Sequence, residues 1–156
     1  MRALGEGTEL ILVEDFVPGA EVALEGLLRD GALTVLALFD KPDPLDGPFF
    51  EETIYVTPSR LPEATQRAIA EVTGRAARAL DLTDGPIHAE LRLPLAGPAP
   101  AAPAPTVLEL AARSIGGLCS RTLRFGTGLT LEDIILRRAL DCLSPRWSGS
   151  TPPRAS

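Results

Sequence analysis

The sequence predicts an α+β fold, a mostly antiparallel sheet with helices packed on one face. Three observations carry that expectation. Asp30-Gly31 separates two strand-like runs, a strong hairpin signal because a type I′ turn needs positive φ at both positions. "PEATQRAIAEVTGRAARAL" (62–80) reads as one long helix. Two further apolar runs, 87–93 and 106–111, follow one another across a loop and most simply pair antiparallel.

The elements follow in order along the chain. "TELILVEDFV" (8–17) is an apolar run that ends at the turn signal Pro18-Gly19. "AEVALEGLL" (20–28) alternates, with Val22, Leu24 and Gly26 on one face and Glu21, Ala23 and Glu25 on the other. "ALTVLALF" (32–39) is its hairpin partner. Residues 40–52 hold three prolines and a glycine and are expected to be irregular, and "TIYVTP" after them to be a short strand. In the helix, Pro62 sits where its missing N–H costs nothing, with acids early and arginines late to suit the dipole. Ile69, Val72, Ala76 and Leu80 form its expected buried stripe. "LAGPAPAAPAP" (95–105) is a semi-rigid, solvated Pro/Ala loop. "TLED" (130–133) resembles a capping box, with Thr130 as cap of a helix running to about Cys142. The tail 144–156 is expected to be disordered, with Trp147 able to dock.

Composition narrows the function. The net charge of −6 argues against nucleic acid or an anionic membrane as partner, since both need a basic footprint. No signal-like apolar region opens the chain, and its longest apolar run, 32–39, is far short of a membrane span. Cys119 and Cys142 fit neither a ligand spacing nor a disulfide framework and read as free thiols in a reducing cytoplasm. Of the 15 basic residues only Lys41 is a lysine, so chemistry that needs two lysines is beyond this chain alone.

The strands at 87–93 and 106–111 each carry a carboxylate on the alternate face, Glu90 and Glu109. Such a pair repels unless something cationic stands between them. An internal cation, Arg92 or Arg113, is one solution. A divalent ion is the other: hard oxygen ligands with no soft Cys/His set suit Mg²⁺ bound together with substrate phosphates. A merely solvated face carries the same residue types. "RSIGG" (113–117) adds a guanidinium suited to an oxyanion and a glycine pair that lets backbone approach a ligand.

"VEDFVPGAEVALEG" (13–26), "HAELRL" (88–93) and "VLELAARSIGG" (107–117), in that order, resemble the ATP-grasp superfamily, and most closely its amino-acid ligase and biotin-carboxylase-like branches. The similarity covers 9–143, and the stretch 39–62 resembles the segment joining hinge to helix. The resemblance implies a C-terminal lobe over residues 1–143, with the N-terminal lobe absent: a truncated or split enzyme, inactive alone, with a separate N-terminal lobe as partner. It implies ATP and Mg²⁺ (or Mn²⁺) as cofactors, and small carboxylate and amine substrates joined through an acyl phosphate. Glu14 would edge the adenine, the backbone of Asp15, Phe16 and Val17 would read it, and Glu21 would bind the ribose hydroxyls. Glu90 and Glu109 would be the metal ligands. Arg113 would steady a phosphorylated carboxylate, with Gly116 and Gly117 keeping its loop open. Lys41 and Glu52 would line the acceptor pocket.

Two positions depart from the family pattern. Ala111 stands where many members have a metal-binding asparagine, and Thr53–Thr57 contain no substrate-binding histidine. The rival function is a non-catalytic nucleotide-binding or assembly module; a generic interaction domain ranks behind both. Plain structural readings accompany the others. Spacing alone reads Phe16 and Val17 as core, Glu25 as solvent-facing, His88 as a hydrogen-bonded structural histidine, Cys119 as a buried thiol, and Arg121 and Arg124 as surface. Phe49 and Phe50 read as pocket wall or loop anchor.

Overall fold

The computed structural model describes residues 13–43, 54–94, 104–126 and 128–142. Glu52, Phe49, Phe50, Trp147 and the tail 144–156 lie outside them, as does most of the Pro/Ala loop.

Strands β1 (Ala20–Arg29), β2 (Ala32–Lys41), β3 (Gly85–Leu93) and β4 (Thr106–Ala111) form a sheet of order β2-β1-β3-β4, antiparallel throughout. The β1–β2 turn has φ of 48° at Asp30 and 75° at Gly31, the double positive that its sequence calls for. β2 runs on to Lys41 because Asp40 exchanges two backbone hydrogen bonds with Val56, each 2.9 Å. The strand expected in "TIYVTP" contracts to that bridge. The Asp40 carboxylate accepts from Ser59 Oγ at 2.6 Å and from the Arg60 N–H at 2.9 Å, fixing the approach to the first helix.

That helix, α1 (Glu63–Ala79), covers one sheet face, packing Ile69 with Val22, Leu24, Leu38, Ala89 and Leu91, and Ala77 with Leu28 and Ile87. Its buried stripe is Ile69, Thr73, Gly74 and Ala77. Val72 joins the core only in part, and Leu80, at the C-cap, turns out to solvent. The stripe thus drifts by one position, with the small residues Gly74 and Ala77 among those it buries.

The other face is covered in part by the segment after β4. Ile115, Leu123 and Phe125, and Leu131 and Ile134 of α3 (Leu131–Ala139), pack on Ala23, Leu27, Ala37 and Phe39. Between Ile115 and Leu123 lies a short helix, α2 (Gly117–Thr122), for which six residues give no legible periodicity. Helices therefore sit on both faces: the sheet is mostly antiparallel as expected, but its one-faced cover is corrected to two. Sandwiched in this way, the central strand β1 is buried from Glu21 to Leu28. The Thr130 capping box forms, Asp133 N–H to Thr130 Oγ1 at 3.0 Å and Thr130 N–H to Asp133 Oδ2 at 2.9 Å, although α3 stops at Ala139.

Candidate functional site

The same face of the sheet also carries its charged side chains, most of them buried. Period-two alternation and strand register set its side chains in rows. Glu21 on β1 stands between Lys41 on β2 and Arg92 on β3. One row on, Ala23 opposes Phe39 and Glu90, and Glu90 opposes Glu109 on β4. In the third row Glu25 opposes His88.

Contacts follow the register. Lys41 Nζ, 4% exposed, donates to Glu21 Oε1 at 2.6 Å and to Glu90 Oε1 at 3.2 Å, and lies 5.0 Å from the Tyr55 ring centre. Arg92 reaches Glu21 Oε2 at 3.0 Å and the Gly19 carbonyl at 2.9 Å, with its guanidinium 5.6 Å from the Phe16 ring. Both Glu21 oxygens are thus engaged, each retaining lone-pair capacity for a further donor. Phe16, 63% exposed, belongs to the irregular stretch 13–18, so its reading as core is corrected: it caps an arginine beside the site. Glu14 and Asp15 lie exposed in the same stretch, with Val17 half-buried.

Glu25 is 0% exposed, which overturns its placement on a solvent face. Alternation assigns Glu25 to a face; only the later arrival of Ile115 and α3 covers that face. Its Oε2 accepts the Ile115 N–H at 2.9 Å and lies 3.3 Å from His88 Nδ1. His88 Nε2 is 3.7 Å from Glu90 Oε1, close enough for charge attraction and too far for a hydrogen bond. Burial raises the Glu25 carboxyl above its usual range despite these donors. At His88 burial opposes the charged ring, but Glu25 and Glu90 outweigh it and push the imidazole up to about 9. Above about 6.5 the unfolded chain has lost this proton while the folded protein still holds it, so stability falls as pH rises. The contribution is complete below about 6.5 and is lost through about 9. His88 is the sole histidine, so an NMR titration reads it directly. The expected midpoint is near 9, with melting temperatures declining from 6.5 upward; a midpoint near 6.5 would show that Glu25 does not hold the proton.

Glu90 and Glu109 are direct cross-strand partners on one face, 22% and 61% exposed at the side chain. Arg113 Nη2 approaches Glu109 Oε1 at 3.9 Å, both side chains solvent-accessible. The internal cations therefore divide. Lys41, which strand alternation alone did not single out, serves Glu90, Arg113 serves Glu109, and Arg92 is committed to Glu21. Among the described residues no group of three or more His, Cys, Asp or Glu is arranged to hold a metal ion. Two opposed carboxylates fit a hard ion that keeps water and phosphate oxygens for the rest of its shell, as Mg²⁺ does. Structure thus brings together Lys41, Glu21, Glu90, Glu109 and Arg113 of the predicted set and links Phe16 to it through Arg92. No helix among the described residues is long and apolar enough to cross a membrane.

A family model described as an ATP-grasp domain matches residues 4–122. The chain is 31% identical to carnosine synthase 1 of Gallus gallus over 144 residues, 91% of this chain and 14% of that protein. It is 28% identical to alanine–anticapsin ligase of Bacillus subtilis (strain 168) over 115 residues, 74% of this chain and 22% of the relative. The crystal structure of an L-amino acid ligase from Bacillus licheniformis superposes with a TM-score of 0.72 at 35% identity, covering 88% of this chain and 34% of that one. The chain therefore spans between a seventh and about a third of the proteins it matches.

Proposed function

Because the chain belongs to the ATP-grasp family, we propose that it supplies the acidic, nucleotide-facing lobe of an ATP-dependent carboxylate–amine ligase. The observation that carries this reading is the direct opposition of Glu90 and Glu109 on the charged face, with Arg113 beside them. A degenerate assembly module has no use for two mutually repelling carboxylates kept together with that arginine.

Each group then has a task. The backbone of 15–17, edged by Glu14, receives the adenine, and Glu21 accepts from the ribose hydroxyls. Glu90 and Glu109 hold Mg²⁺ or Mn²⁺, which when bound neutralises and orients the nucleotide phosphates. A substrate carboxylate oxygen attacks the γ-phosphorus and ADP leaves; the amine then attacks the acyl carbon, phosphate departs and the amine gives up a proton. Arg113 offsets the charge of the acyl phosphate, the open backbone at Gly116 and Gly117 admits it, and Lys41 lines the acceptor side. The work is positioning and electrostatics, with little covalent chemistry for the protein. Residues 1–143 form this lobe, and a second lobe, on the same or a separate polypeptide, completes the grip.

Thermal shift tests the reading. Mg·ATP is expected to raise the melting temperature, ATP with a chelator to do so less, and Glu109→Ala to abolish the difference. The 156-residue chain alone is expected to bind ATP weakly without ligase turnover. Robust ADP release stimulated by an amino acid would overturn its assignment as half of a site.

A further inference from the structure

We propose that Lys41 is a stand-in cation that reserves Glu90 for a metal arriving with the nucleotide and excludes the bare ion. The inference rests on the metal role given above to Glu90 and Glu109. Three observations support it. The ammonium bridges Glu21 at 2.6 Å and Glu90 at 3.2 Å, so the carboxylate offered to a metal is already neutralised from within. The lysine side chain is almost wholly buried, its ammonium 5.0 Å from the Tyr55 ring centre, so it cannot simply swing into water when a second cation approaches. Glu21 has a further partner in Arg92, so Lys41 can leave it without stranding a buried carboxylate.

A divalent ion that took Glu90 would stand close to this ammonium, and like charges at such range oppose each other strongly. The phosphates of a nucleotide reverse the balance. Their oxygens give the ammonium an anion to turn to and give the metal its remaining ligands, so both cations gain a partner at once. The lone lysine of the chain thus makes the site selective for a metal–nucleotide complex over the free ion.

Mn²⁺ provides the probe, read by electron paramagnetic resonance on the full chain with and without ATP. Wild type is expected to bind free Mn²⁺ weakly and Mn²⁺ with ATP more tightly. Lys41→Met is expected to tighten free Mn²⁺ about tenfold or more, the effect of removing one nearby like charge, while weakening the ATP-dependent binding. Lys41→Arg, which keeps the charge, is expected to behave as wild type; circular dichroism of both variants confirms their fold. A Lys41→Met protein that binds free Mn²⁺ no better than wild type, while Glu109→Gln weakens binding in both, would overturn the stand-in role and leave the metal site intact. Absence of Mn²⁺ binding in every protein, with or without ATP, would instead overturn the metal reading and this inference with it.

Discussion

Glu25→Ala is expected to lower the melting temperature by roughly 10 °C. The substitution deletes one member of a fully buried ion pair and leaves two groups behind. His88, which is buried and charged, loses its nearest anion, and the Ile115 N–H loses its acceptor. Removing one partner of a buried pair costs about 3–5 kcal/mol, and a chain of this length loses about 2–4 °C per kcal/mol. Glu25→Gln separates the two contributions. An amide oxygen can still accept from Ile115, so the loop carrying Arg113 keeps its tether while the charge is gone. A smaller drop is expected, together with a return of the His88 midpoint toward 6.5. Equal losses from alanine and glutamine would mean that charge alone matters at this position.

Gly19→Ala is expected to be comparably damaging for a different reason. Gly19 has φ of +135°, a region that side chains rarely enter, with a strain cost of about 1–3 kcal/mol. A Cβ there would also stand 2.0 Å from the Leu93 carbonyl oxygen and 2.8 Å from its carbon, backbone atoms that cannot step aside without unpairing Ala20 from Leu93. The same movement withdraws the Gly19 carbonyl from Arg92 and shifts the stretch 13–18, so nucleotide binding is expected to fall along with stability. Gly26→Ala is the control. Its nearest contact, Leu33 Cδ1 at 2.6 Å, is the tip of a side chain that can rotate away. Parallel thermal melts should show the Gly19 variant far below the Gly26 variant; the reverse order would contradict the close approach of β1 to Leu93.

Local chemistry made much of the fold legible. Asp30-Gly31 demanded its turn, the early acid and late arginines of α1 marked its ends, and Thr130 with Asp133 announced a cap. The facing of Glu90 and Glu109 was legible too, because alternation along two consecutive strands leaves only the register to settle. What stayed hidden was which face gets covered. A period of two says that Glu21, Ala23 and Glu25 share a side; it says nothing about a layer supplied ninety residues later by Ile115 and α3. Hence Glu25 read as solvated, and the helices as one-sided. Lys41 was missed as the cation on Glu90 for the same reason: β2 is separated from β3 by β1, and only the full strand order brings the two within reach.

The alternating charge of β1 also bears on how the chain avoids mispairing while it folds. Were β1 to slip by one residue against its neighbours, Glu21 and Glu25 would be thrust among Leu38, Ile69 and Leu91, and Val22 and Leu24 would face Lys41 and Arg92. A hydrophobic strand of ten residues has many nearly equivalent ways to zip. Two carboxylates at its odd positions make the wrong ones costly, so Glu21, proposed to serve ligand binding, and the structural Glu25 together proofread the pairing of the central strand.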